Sequence, residues 1–168
     1  MEATSKPFRT ILCTGQVFAT REEWSAWHNA LGDAPALSHG GFDWNEASIC
    51  MNPNKPIDHC LTANHFLHRV EVETAQCPCG AWNYGLMVNY GSGGFGFGVR
   101  FVPTPSEGYK TEKEAVIAGI KRVIEHLQRE VDNPASDVGK KAEMLKVMQD
   151  YKERYCPLQP SLFDFDFD

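Results

Sequence analysis

Across the middle of this chain apolar and polar residues alternate one by one. In His68–Ala75 (HRVEVETA) Val70 and Val72 interleave with Glu71 and Glu73. In Ala81–Tyr90 (AWNYGLMVNY) Trp82, Tyr84, Leu86, Val88 and Tyr90 share one parity. After GSGG at 91–94, Phe95, Phe97, Val99 and Phe101 repeat the pattern until Pro103 and Pro105 end it. Period two with aromatic and β-branched residues is the strand signature, and the glycines suit a turn, so an antiparallel meander is predicted. Upstream, Phe8–Phe18 (FRTILCTGQVF) reads as a strand ending near Phe18.

Elsewhere the period lengthens to that of a helix. Thr20 and Glu23 have the spacing of a capping box, and Trp24, Trp27 and Leu31 recur at helical intervals, which predicts a short helix over Arg21–Leu31. A second capping box, Thr111 with Glu114, opens a longer helix to Val131. Its apolar stripe runs through Val116, Ile117, Ile120, Val123, Ile124, Leu127 and Val131. Pro134 separates it from a last helix over Asp137–Tyr155, with Val138, Leu145, Met148, Tyr151 and Tyr155 along one side. Residues 32–56, rich in Gly, Pro, Asn and Asp, read as irregular, with Phe42, Trp44, Ile49 and Met51 pinning them to the core. The expected fold is α+β: an antiparallel sheet of three or more strands with helices packed on one face. Residues 1–156 are expected to form one domain and 157–168 a tail. The strand–strand–helix unit over Arg69–Val131 loosely resembles uncharacterised modules of plasmid and other mobile-element proteins.

Charge narrows the classes of partner. The net charge is −6, and Asp164, Asp166 and Asp168 supply half of it. No segment is strongly basic, so composition does not indicate broad electrostatic binding to nucleic acid. Met1–Cys13 lacks the apolar stretch of a secretory signal, and no apolar run approaches a membrane span. A cytoplasmic location is therefore expected, with the six cysteines as free thiols.

Three stretches invite chemical readings. YGSGGFGFG at 90–98 is glycine-rich, but no Lys follows and a strand rather than a helix comes next, so a phosphate loop is not expected. Gly96 and Gly98 instead predict close backbone approach, with Gly119 as the partner surface under a helix. His59, Cys60, His65, His68, Cys77 and Cys79 are metal ligands by type. The single residue between Cys77 and Cys79 departs from the usual zinc spacing, and neither a metal nor a cofactor is expected. Cys60 beside His59, or Cys50 with a distant His, would be the nucleophile pair of an enzyme. No serine elbow or zinc-protease pattern accompanies them. Glu71 and Glu73 share a strand face, which reads as a solvated face before it reads as an acid–base pair.

The last segment, Cys156–Asp168 (CPLQPSLFDFDFD), is the most specific. Pro157 stops the preceding helix and Pro160 favours extended backbone. Gln159-Pro160-Ser161-Leu162-Phe163 resembles the short motif by which bacterial DNA polymerases, mismatch-repair proteins and other partners bind the replication sliding clamp: Gln, any residue, Ser or Asp, Leu, Phe. The resemblance implies that Gln159, Ser161, Leu162 and Phe163 bind the clamp, with Leu162 and Phe163 as apolar anchors and Gln159 as a hydrogen-bonding amide. It further implies an accessory or regulatory protein of DNA replication or repair, from a bacterium, plasmid or phage, whose body carries a second protein or a nucleic acid. The alternatives are a stand-alone enzyme with a pocket near residues 32–68, and a structural protein whose tail completes a sheet through Phe163, Phe165 and Phe167.

Overall fold

A computed structural model of the chain describes residues 6–61, 68–91, 93–133 and 139–157. It begins with two small hairpins: β1 (Arg9–Ile11) pairs with β2 (Gln16–Phe18), and after helix α1 (Arg21–Leu31), β3 (Leu37–His39) pairs with β4 (Phe42–Trp44). The main antiparallel sheet follows, with β5 (Asn54–Cys60), β6 (His68–Gln76), β7 (Trp82–Tyr90) and β8 (Gly94–Phe97) side by side in sequence order. Helices α2 (Glu112–Asp132) and α3 (Gly139–Tyr155) complete an α+β fold.

The expected capping boxes form at Thr20–Glu23 and Thr111–Glu114, each with both reciprocal hydrogen bonds. They satisfy backbone donors that a helix start leaves unpaired. The α2 stripe then buries Val116, Ile120, Val123 and Leu127 against Val70, Val72, Leu86 and Val88, while Met144, Leu145 and Met148 of α3 close the cluster. Each such burial contributes roughly 1.5–3 kcal/mol. Gly119 brings α2 close to the sheet: a Cβ there would lie 2.6 Å from Val72 Cγ1. Val138, expected on the α3 stripe, lies outside the described residues.

A second cluster joins Ile11, Phe18, Phe42, Trp44, Cys50, Ala75, Cys77, Val99 and Val102, with Trp24 and Trp27 of α1 packed on it. Ala75 shares strand parity with Glu71 and Glu73. The N-terminal elements therefore cover one end of the sheet face that the helices leave free.

Four sequence expectations change. Phe8–Phe18 is a hairpin rather than one strand, because the chain reverses through Gly15 at φ 70°. Residues 32–56 hold β3, β4 and the start of β5, elements too short or too irregular to show a period. Met51 does not pin this region; its side chain is exposed. Phe95, Phe97, Val99 and Phe101 do not share one core, because Phe95 and Phe97 pack with the helices while Val99 and Phe101 join the second cluster. The regular strand ends before Gly98.

Candidate functional site

The motif residues Gln159, Ser161, Leu162 and Phe163 lie outside the described residues, as does the rest of 158–168. The structure does describe the point from which they leave. α3 runs to Tyr155, the Cys156 amide donates to the Lys152 carbonyl at 2.8 Å, and Pro157 follows. Tyr151 meets His59 of β5 edge-to-face, with ring centroids 5.9 Å apart. Arg154 and Tyr155 line a groove of about 380 Å³ together with Pro56, Glu112, Lys113 and Val116.

On the open sheet face, β5 and β6 carry a network of charges. The register of β5 against β6 shifts between Asn54 and Ile57, so Lys55 and Asp58, three residues apart, both project onto this face. Lys55 Nζ lies 3.0 Å from Glu71 Oε2 and 3.5 Å from Glu73 Oε1. Arg69 bonds Asp58 through Nε and Nη2, at 2.8 and 2.7 Å. Its guanidinium also meets Glu71 Oε1, as an ion-pair contact rather than an aligned hydrogen bond. Glu71 is 1% exposed. The solvated face expected for Glu71 is thus a buried carboxylate held between two cations, since burial of a charge is tolerated only with such partners. The hydrogen bond to Glu71 raises the Lys55 pKa, and the Asp58 hydrogen bond, with the nearby Glu71 charge, raises that of Arg69. Both cations are held in their charged form beside the buried Glu71 carboxylate. The sequence concealed it because the bulge breaks the period of β5.

Beside this network the same face turns into a groove of about 620 Å³, lined by Glu73, Met87, Asn89 and Gly93–Gly98. Met87 is 41% exposed. Gly96 and Gly98 therefore do not lie under a helix, contrary to the sequence expectation. The close backbone approach is made to β7: a Cβ at Gly96 would sit 2.8 Å from the Leu86 carbonyl oxygen, and one at Gly94 would sit 2.7 Å from that of Val88. A Cβ at Gly98 would meet Ile49 Cγ2 at 2.7 Å. Gly119 packs instead on Val72 and Tyr84.

The cysteine and histidine candidates are dispersed. His59, Cys60 and His68 lie at one end of the β5–β6 pair. Cys77 and Cys79 lie past the other end of β6, roughly 25 Å away at about 3.3 Å per strand residue. His65 is outside the described residues. Among the described residues no group of three or more His, Cys, Asp or Glu side chains could hold a metal ion. Cys77 and Cys79 bracket one backbone unit: Val102 N–H donates to Cys77 Sγ and Cys79 Sγ–H donates to the Val102 carbonyl, both at 3.3 Å. Burial raises the thiol pKa of Cys13 and Cys50 and pushes that of Cys77 up to about 11. These three stay protonated near neutrality, which disfavours them as nucleophiles. Among the described residues no helix is long and apolar enough to cross a membrane. No protein-family model, no curated protein and no solved structure matches the chain.

Proposed function

We propose that the protein is an accessory or regulatory factor of DNA replication or repair that docks on the replication sliding clamp through Gln159, Ser161, Leu162 and Phe163. The observation that carries this reading is the match of those four side chains to the clamp-binding motif, starting just past the Pro157 helix stop. The end of α3 at Tyr155 supports it, because the motif then follows a completed helix. Leu162 and Phe163 act as apolar anchors in a hydrophobic pocket of the clamp and Gln159 offers an amide that donates and accepts hydrogen bonds, the mode of an extended peptide with few anchors. Ordering such a peptide costs conformational entropy, so the affinity is near the micromolar range, about −8 kcal/mol. The body, with its open charged and glycine-floored face, carries the second partner, a protein or a nucleic acid. Titration of a purified bacterial sliding clamp with the full chain tests the reading by fluorescence anisotropy. Saturable micromolar binding supports it, and absence of binding at 100-fold higher concentration, on the order of 100 μM, refutes it.

A further inference from the structure

The two edges of the main sheet are built differently. β5 carries Pro56, which has no N–H to offer, the charged Lys55 and Asp58, and a register shift. These are devices that blunt an edge against strand addition. β8, the opposite edge, is Gly-Phe-Gly-Phe and has none of them. Its hydrogen-bonding parity follows from the turn. The Tyr90 amide donates to the Gly93 carbonyl at 3.0 Å, so that pair is bonded. By antiparallel alternation Phe95 and Phe97 then bond inward to Val88 and Leu86, and Gly94 and Gly96 point their N–H and C=O groups outward. Both glycines are exposed. Further along the same edge the chain closes it itself: Cys50 N–H donates to the Val99 carbonyl and Phe101 N–H to the Ser48 carbonyl, both at 2.9 Å. Among the described residues nothing does so at Gly94–Phe97.

We propose that the open stretch Gly94–Phe97 pairs antiparallel with the same stretch of a second copy, making a two-fold dimer with a continuous eight-stranded sheet. A two-fold interface must be self-complementary. The outward parity of Gly94 and Gly96 meets that condition when the axis passes through Phe95, since Gly94 of each copy then faces Gly96 of the other in bonded pairs. The charges beside the edge meet it too. Arg122 of α2 lies over the Phe95 ring at 5.8 Å and pairs with Glu125 one turn on, at 3.4 Å. An axis at Phe95 brings the two α2 flanks together in opposite directions, where each Arg122 can exchange its carboxylate for Glu125 of the other copy. The pairing is independent of the tail.

Sedimentation velocity and amide hydrogen exchange on the full chain, across micromolar to millimolar concentration, test this. The expected result is a reversible dimer whose formation protects the Gly94 and Gly96 amides. Glu125→Arg places like charges across the axis and weakens dimerisation about tenfold, two pairs at up to 1 kcal/mol each. The double variant Arg122→Glu with Glu125→Arg restores it to within about threefold, since the pair is only inverted. Both positions are solvent-exposed, so folding is retained. A chain that stays monomeric at millimolar concentration overturns the proposal. A dimer with unprotected Gly94 and Gly96 also overturns it, as does protection independent of concentration, which would mean that another segment of the same chain covers the edge.

Discussion

Neighbouring residues of the same strands build two unlike faces on the main sheet. Val72 is buried under α2, while Glu71, one residue before it, is buried among Lys55 and Arg69. Leu86 packs into the helical core, while Met87 is exposed in a groove floored by glycines. The helical face is held mainly by apolar area, which is non-directional, and a polar group buried there is paired, as Thr74 is when its hydroxyl donates to Glu112 Oε1 at 2.7 Å. The other face is held by the second apolar cluster at one end and by paired charges further along, and it leaves a strand edge and a groove accessible. Stability and accessibility are thus separated by strand parity.

The largest effect should come from the helical face. Leu127→Ala is expected to lower the unfolding free energy by about 3 kcal/mol, whereas Met87→Ala should cost less than about 1 kcal/mol. Equal losses in urea unfolding would erase the distinction between the faces. Next is the charge network. Arg69→Met leaves Glu71 with Lys55 alone and should cost about 2 kcal/mol, less than the loss of a sole partner. Adding Glu71→Gln should recover part of that loss in a double-mutant cycle; no recovery would mean that Arg69 acts through packing of its stem.

Gly98→Val sharpens the account of the groove. Its Cβ collides with Ile49, so a cost of about 1–2 kcal/mol is expected, and Ile49→Ala should relieve it. Relief by Gly119 variants instead would restore the helix contact that the sequence pattern suggested. The smallest effect belongs to His126, stacked on Phe95 with ring centroids 4.6 Å apart. Burial lowers its pKa, with Glu130 opposing and Arg129, Arg122 and Lys141 adding to the shift. The unfolded chain then binds the proton more readily, so the contribution is full above about pH 6.5 and is lost as the pH falls towards the folded pKa. Melting curves between pH 7.5 and 5 should show this loss, and His126→Gln should remove it. A melting temperature that rises on acidification in a His126-dependent way would contradict the sign.

The sequence made α1 and α2 legible because capping boxes and long apolar stripes act locally. β6 and β7 were legible because each keeps one parity over nine residues. β3 and β4 were not, because three residues make no period. β5 hid behind Pro56 and a bulge that changes parity mid-strand. The charge network stayed hidden with it, since Lys55 and Asp58 meet Glu71 and Arg69 only through that shifted register. Gly96 signalled close backbone approach, yet one sequence does not say which backbone: β7 rather than α2; Gly98 meets no backbone but the Ile49 side chain. The tail resemblance rests on the sequence alone, since a linear motif needs no fold to be read and residues 158–168 lie outside the described ones.

Clamp docking is proposed to reside in Leu162 and Phe163, with the body folding without them. Binding of a bacterial sliding clamp and thermal melting should be measured on the same preparations of the full chain and of the Leu162→Ala, Phe163→Ala double variant. The expected result is loss of micromolar binding, at least 100-fold or about 2.7 kcal/mol, with the melting temperature unchanged within about 2 °C. Clamp binding retained by the variant, or a melting temperature lowered by many degrees, would contradict the account.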